Sequence, residues 1–430
     1  MSKQVRWLQQ EVAHWRTEGL VDEALALRIL ARYPATAERN WGRMIFSAIG
    51  AVMVGLGVIL FFAYNWHAIP KAAKLALVFG ALAAAHGAAM VVARRSDAHH
   101  GVVEGLHVLG TMLFGAGIWL VAQIYHIDEH YPNAFLVWSL GALALAWVMP
   151  SVVQALLALF LVSFWAGVEV FEFHSPMHAA PLLVVMGVLP LAWWRRSPTL
   201  LFCGVAVLYL ITAFTAGWID HRALLPLLFA LGAAALVASM AAPGTAFPAA
   251  EGPLRNLGLL VVLGCAYLLS FKESAGWLVR LHAVKPGIEI YLGAAGATLI
   301  AAIGLLIRTG LSNINNYRRW QLGLLGAGMA VFLISLFAKG VIDRWLVMVP
   351  FNLITLGFAI LLILEGSEQL RPKMVGLGCL VFALVVVSRY TDLFSSLLMR
   401  AAVFVALGAG LFLVGNFYAK NKKRVQEVQA

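Results

Sequence analysis

The chain has 430 residues, of which 62% are apolar and 12% charged, and its mean hydropathy is +0.87. Soluble domains are about 45–50% apolar and about 25% charged, so no soluble core could hide this much apolar surface, and lipid must be the solvent for most of it. The net charge of +11 does not mark a nucleic-acid binder: the basic residues lie between apolar runs, and no soluble stretch interleaves them with aromatics.

Residues 1–40 form the one sizeable segment outside the apolar runs. Val5, Leu8, Val12 and Trp15 recur at the spacing of an amphipathic helix. Glu18-Gly19 breaks the pattern, Asp22 is placed to cap a second helix carrying Leu25, Leu27, Ile29 and Leu30, and Pro34 ends it. A short helical hairpin on the cytoplasmic side is expected. It either packs on the helix bundle or binds a partner protein or the membrane surface. The seven Lys and Arg of residues 1–43 precede any long apolar run, so the first span is expected to act as an uncleaved anchor.

A crossing helix needs about 20 apolar residues, with a range of about 17–25. Fourteen runs meet or approach this: 44–64, 72–93, 103–125, 134–149, 152–171, 178–194, 198–217, 223–242, 254–271, 288–307, 320–338, 345–364, 374–389 and 397–418. The runs at 134–149 and 178–194 are short. The expected fold is therefore all-α, a polytopic bundle of about 14 spans over 41–420, followed by a basic cytoplasmic tail at 421–430. The linker AAPGTAFPAAEGP at 241–253 is either a loop within one membrane domain or a seam between two bundles. With the N-terminus inside, the inner segments hold 21 of the 31 Lys and Arg, the asymmetry of the positive-inside rule. Both termini are then cytoplasmic.

Gly50 to Pro70, GAVMVGLGVILFFAYNWHAIP, typifies the runs: a glycine-bearing apolar helix closed by polar and aromatic residues. FFAYNWHAIPKAAK (61–74), AQIYHIDEHYPNAFLVW (122–138), SRYTDLFSSLLMRAAVFVALGAGLFL (388–413) and EGLVDEALALRILARYP (18–34) resemble a bacterial family of multi-pass membrane proteins, domain of unknown function 2157. The resemblance implies an inner-membrane protein and supplies no activity, cofactor or catalytic residue.

Asn65, Trp66, Gln123, Tyr125, Arg389, Tyr390 and Asp392 fall at the outer ends of three runs. Polar groups at membrane depth are costly and often functional. They are expected either to converge on one outward-facing substrate site, with Arg389 anchoring an anionic group and Asp392 holding it when empty, or to sit apart in the interfacial belt. His126, Asp128, His130, Glu172 and His174, together with Glu169 and His178, are weaker candidates for binding a divalent cation, and they match no named zinc spacing. His86 lies deep in an apolar run and is expected to bond a neighbouring helix. Cys203, Cys265 and Cys379 fall inside apolar runs, as buried small hydrophobes do.

No Walker loop, GxSxG elbow or dinucleotide fingerprint occurs, and no cofactor is expected. Two function classes stay open. One is a transporter- or flippase-like carrier with an outward-facing polar site. The other is a non-enzymatic envelope assembly or interaction partner, acting through the hairpin or outer loops. An enzyme is the less favoured class. Membrane lipids are expected partners and nucleic acid is not.

Overall fold

The computed structural model describes residues 3–32, 69–95, 100–127, 130–149, 151–281, 284–310, 314–337 and 343–393, with isolated positions at 53 and between 405 and 416. The expected runs at 44–64 and 397–418 and the tail at 421–430 lie outside these residues, apart from those isolated positions. The described residues are helical, with no strand among them.

In chain order the helices are α1 (Lys3–Thr17), α2 (Glu23–Arg32), α3 (Lys71–Ala93), α4 (His100–Tyr125), α5 (Asn133–Val148), α6 (Val152–Phe171) and α7 (Ala179–Trp194). They continue with α8 (Pro198–Asp220), α9 (Leu224–Ala241), α10 (Glu251–Leu269), α11 (Lys272–Val279), α12 (Ile288–Thr309), α13 (Asn316–Phe337), α14 (Trp345–Glu368) and α15 (Pro372–Leu393). Among the described residues, nine stretches are long and apolar enough to cross a membrane, and one of these, Pro198–Gly244, contains both α8 and α9. The runs expected to be short are the shorter apolar helices α5 and α7.

Several boundaries differ from the expected runs, for local reasons. α13 starts at Asn316 because the Asn315 side chain accepts the Arg318 N–H at 2.8 Å and caps it. α14 runs on to Glu368 because Glu365 is buried and paired there. Within α7, residues 184–188 form a π turn just before Pro190, which has no N–H to give the preceding turn. The indole of Trp147 donates to the Gly187 carbonyl at 2.8 Å.

The chain divides into two compact units, Met1–Leu77 and Val78–Ala430. In the first, α1 and α2 pack through the buried Val12 and Ala26. Gly19 takes φ 74 between them, and Asp22 Oδ1 accepts the Leu25 N–H at 2.7 Å as the cap of α2. Leu25 and Leu27 stay exposed, so the buried stripe of α2 runs through Ala26 instead.

In the second unit, side-chain contacts sort the helix termini into two ends. At the first, His178 meets Tyr291, the Asp220 carboxylate accepts the Lys285 N–H, and Ser270 meets Asn352 and Arg389. At the second, Glu104 accepts from Ser151, Trp147 stacks on Trp194, and Gly244 lies against Thr309. Successive long helices therefore run antiparallel. The linker at 241–253 is packed: Phe247 is buried edge-on to Trp193, and both flanking helices belong to this unit.

α9 is the most enclosed helix, buried on nearly every face. Its Gly232-Ala-Ala-Ala run lets α10 approach closely. A Cβ at Gly258 would stand 2.9 Å from the Gly232 carbonyl oxygen and 2.7 Å from Leu236 Cγ. One turn earlier on α9, Phe229 meets Phe332 and Phe351 edge-on at 5.2 and 5.8 Å.

The ends of α10, α13 and α14 are joined by charge. Glu365, with no exposed surface, accepts from Arg255 at 2.8 Å and from Gln321 at 3.1 Å. Arg318 stands 3.8 Å from Glu365 and also pairs with Glu251. Breaking a buried pair leaves an uncompensated charge.

Gly258→Ala should destabilise the protein by about 1–3 kcal/mol through overpacking, read as a lower unfolding temperature in detergent. Gly264→Ala, where an added Cβ meets nothing within 4 Å, should leave it unchanged. Glu365→Ala should cost about 3–5 kcal/mol, and Arg255→Met with Glu365→Leu together should recover most of that loss. Equal unfolding temperatures for Glu365→Ala and the parent would show that the network holds nothing.

Candidate functional site

Asn65, Trp66 and Asp128 lie outside the described residues, as do the side chains of Tyr390 and Asp392. Gln123 and Tyr125 are exposed at the C-terminal end of α4. Arg389, on the last turns of α15, donates to the Ser270 carbonyl at 2.6 Å and to its hydroxyl at 2.7 Å. Its guanidinium lies 4.5 Å from the Phe271 ring centre. Arg389 thus ties α15 to the end of α10, where the carbonyls left over at a helix C-terminus need donors. Asn352 serves the same Ser270 carbonyl at 3.3 Å and the Met348 carbonyl at 2.8 Å.

The histidines and carboxylates at the α4–α5 corner pair off. His130 Nε2 lies 2.7 Å from Glu169 Oε1, which also accepts from the Trp165 indole at 3.2 Å. The neighbouring Tyr131 hydroxyl donates to Glu172. That bond, with partial desolvation and the Glu172 and Glu169 charges, raises the Tyr131 phenol above its ordinary range. His126 and His174 adopt left-handed conformations, φ 53 and 54, the first directly after α4 and the second three residues past the end of α6. They act there as helix-ending residues, a position that glycine more often fills. Among the described residues, no three His, Cys, Asp or Glu side chains stand close enough to share a metal ion.

Beside this corner α3, α4 and α5 enclose a groove of about 420 Å³, within the usual range of small-molecule sites. Phe79, Phe114, Trp119 and Val137 wall it with apolar surface, and His130 and Tyr131 stand on its rim. Because both rim residues are tethered to α6 carboxylates, the rim is pre-organised. Trp119 packs against Tyr131 and Phe135 at 6.3 and 5.4 Å, which fixes the wall to the rim.

Deeper between α3 and α4, His86 Nδ1 faces His107 Nδ1 at 2.9 Å. The expected partner of His86 is thus another imidazole. Gly110 makes the room: a Cβ there would lie 2.5 Å from His86 Nε2. Of the three cysteines, all free, Cys265 is buried and the others are half-buried.

Sequence reasoning named His130, Glu169 and Glu172 but missed Tyr131 and the aromatic wall. Tyr131 had a usable signal, since it follows His130 directly within a polar interruption of the apolar pattern. Phe79, Phe114 and Trp119 had none, because aromatics are common throughout these helices.

No curated protein and no solved structure matches the chain. A family model does match, over residues 13–155, about a third of the chain and the part that contains the groove and the histidine pair. Over that stretch the resemblance read from the sequence is borne out: the family is described as "Predicted membrane protein (DUF2157)".

Proposed function

We propose that the chain is a flippase-like carrier that receives an amphipathic, lipid-like molecule in the groove between α3, α4 and α5. The observation that carries this reading is the pairing of an aromatic wall with a fixed polar rim. A hydrocarbon chain would lie against Phe79, Phe114 and Trp119. The polar head would meet Tyr131 and His130. In this reading Gln123 and Tyr125, on the same corner, approach the incoming headgroup, and Arg389 braces the bundle at α10. The full chain crosses the bacterial inner membrane fourteen times, with both termini in the cytoplasm. The clustering of Arg195, Arg196, Arg308, Arg319, Arg371 and Lys373 on inner segments supports that orientation.

A specific observation favours a second reading, in which the chain is an assembly partner. In the N-terminal unit Trp7, Leu20 and Leu27 are 57%, 70% and 63% exposed, a large apolar display for two short helices.

Val137→Trp should fill the groove without touching the rim. Protein purified with its native lipids should then retain fewer lipids per chain by mass spectrometry, with its unfolding temperature little changed. Lipid retention equal to that of the parent would count against the carrier reading and leave the partner reading in front. For topology, reporters fused at the N-terminus and after Ala430 should both give cytoplasmic signals. A periplasmic signal from either end would end the fourteen-span arrangement.

A further inference from the structure

A second groove, of about 790 Å³, lies between the start of α10 and the start of α15. We propose that it binds a phosphate-class oxyanion through Arg255, Arg371 and Lys373, at a site independent of the aromatic groove.

The key group is Arg255. Its side chain is 9% exposed, and one arm of its fork, Nη2, is committed to Glu365 at 2.8 Å. Arg255 lines the groove, and its other arm, Nη1, is buried and meets no acceptor among the described residues. A buried guanidinium N–H without an acceptor is uncommon in folded proteins and calls for an explanation. An oxyanion in the groove provides one when a small turn of the Arg255 side chain opens Nη1 to it, because the planar fork can serve a second acceptor while Nη2 stays on Glu365.

The surroundings suit an anion. Arg371 and Lys373 line the groove and are exposed, and neither side chain has an ion pair or hydrogen bond among the described residues. Asn256 adds an exposed amide. The one carboxylate on the lining, Glu251, is already paired with Arg318, so its charge is compensated. The α14–α15 turn sets the position of Arg371. Leu370 takes φ 53, and the Arg371 N–H returns to the Gly366 carbonyl at 2.8 Å, closing α14. α15 then starts at Pro372, which places Lys373 in its first turn. Leu259, Met374 and Leu377 give the groove an apolar floor. The recognised chemistry is the same for a free phosphate and for a phospholipid headgroup, and the floor accommodates an acyl chain in the second case.

The test uses full-length, delipidated protein in detergent. It is titrated with inorganic phosphate, with phosphatidylglycerol in mixed micelles, and with phosphatidylcholine as the zwitterionic control. At least one anionic probe should bind saturably. Arg371→Gln with Lys373→Gln should weaken that binding on the order of tenfold, a loss of about 1.4 kcal/mol. These two residues are exposed and outside the Glu365 network, so the fold should be kept. Arg308→Gln with Arg319→Gln removes the same charge from exposed positions outside the groove and should change affinity less than about twofold. Phosphate binding without lipid preference assigns the site to a soluble anion. Binding of phosphatidylglycerol alone assigns it to a headgroup. If neither anionic probe binds, or if both double variants weaken binding equally, the site does not exist. Loss of this binding would leave the α3–α5 carrier reading untouched, because the two grooves share no residue.

Discussion

Two helices surrounded by hydrocarbon gain nothing from hiding apolar side chains from each other, so what holds them together is how closely their surfaces fit. In this protein that constraint is concentrated where α9 meets α10. Gly232 and Gly258 leave the two backbones so near that the carbonyl of one occupies the space a side chain on the other would need. Leu228, Leu231 and Val261 then touch both large core clusters, so helices from both sides of the bundle are fitted around one crossing. The enclosure of α9 follows from this. This helix is apolar apart from Ser239, whose hydroxyl donates to the Leu236 carbonyl, so it can be surrounded without leaving a polar group in need of water.

Apart from the His86–His107 pair, the strong polar contacts are correspondingly displaced to the helix ends. Glu365 gathers one Arg and two Gln within bonding distance, with a second Arg just beyond. Ser270 gathers Arg389 and Asn352. The carboxylates of α6 gather His130 and Tyr131. These contacts set which helix ends are neighbours, a task the apolar surfaces, being chemically alike, perform poorly.

The helices were legible in the sequence wherever the apolar pattern ended in a strong local signal. The run at 152–171 coincides with α6 because Ser151 caps it, and Asp22 begins α2 as its position suggests. Boundaries slipped at the start of α13 and the end of α14, where a charged residue, Arg318 or Glu365, is tolerated because a distant partner neutralises it. That partnership is invisible along the chain: Arg255 and Glu365 are separated by 110 residues and Gln321 and Glu365 by 44. The candidate site divides the same way. His130, Glu169 and Glu172 were readable as polar interruptions, whereas the aromatic wall beside them is made of residues indistinguishable in sequence from their neighbours. Arg389 was legible as an unusual charge, but its attachment to Ser270 depends on a tertiary contact 119 residues away.

The contact between His86 and His107 has a consequence for where hydrogen sits. Two Nδ1 atoms 2.9 Å apart need one proton between them, since two lone pairs would repel and two N–H groups would collide. In the neutral pair the rings must therefore be opposite tautomers: one carries its hydrogen on Nδ1 and leaves Nε2 bare, and the other accepts at Nδ1 and carries its hydrogen on Nε2. The α3–α4 contact thus has a direction, and the reverse assignment of tautomers uses the same heavy-atom positions. Passing from one to the other takes more than moving the shared proton across the Nδ1–Nδ1 contact: one Nε2 must also gain a hydrogen and the other lose one, so the direction is recorded in tautomers instead of in backbone shape.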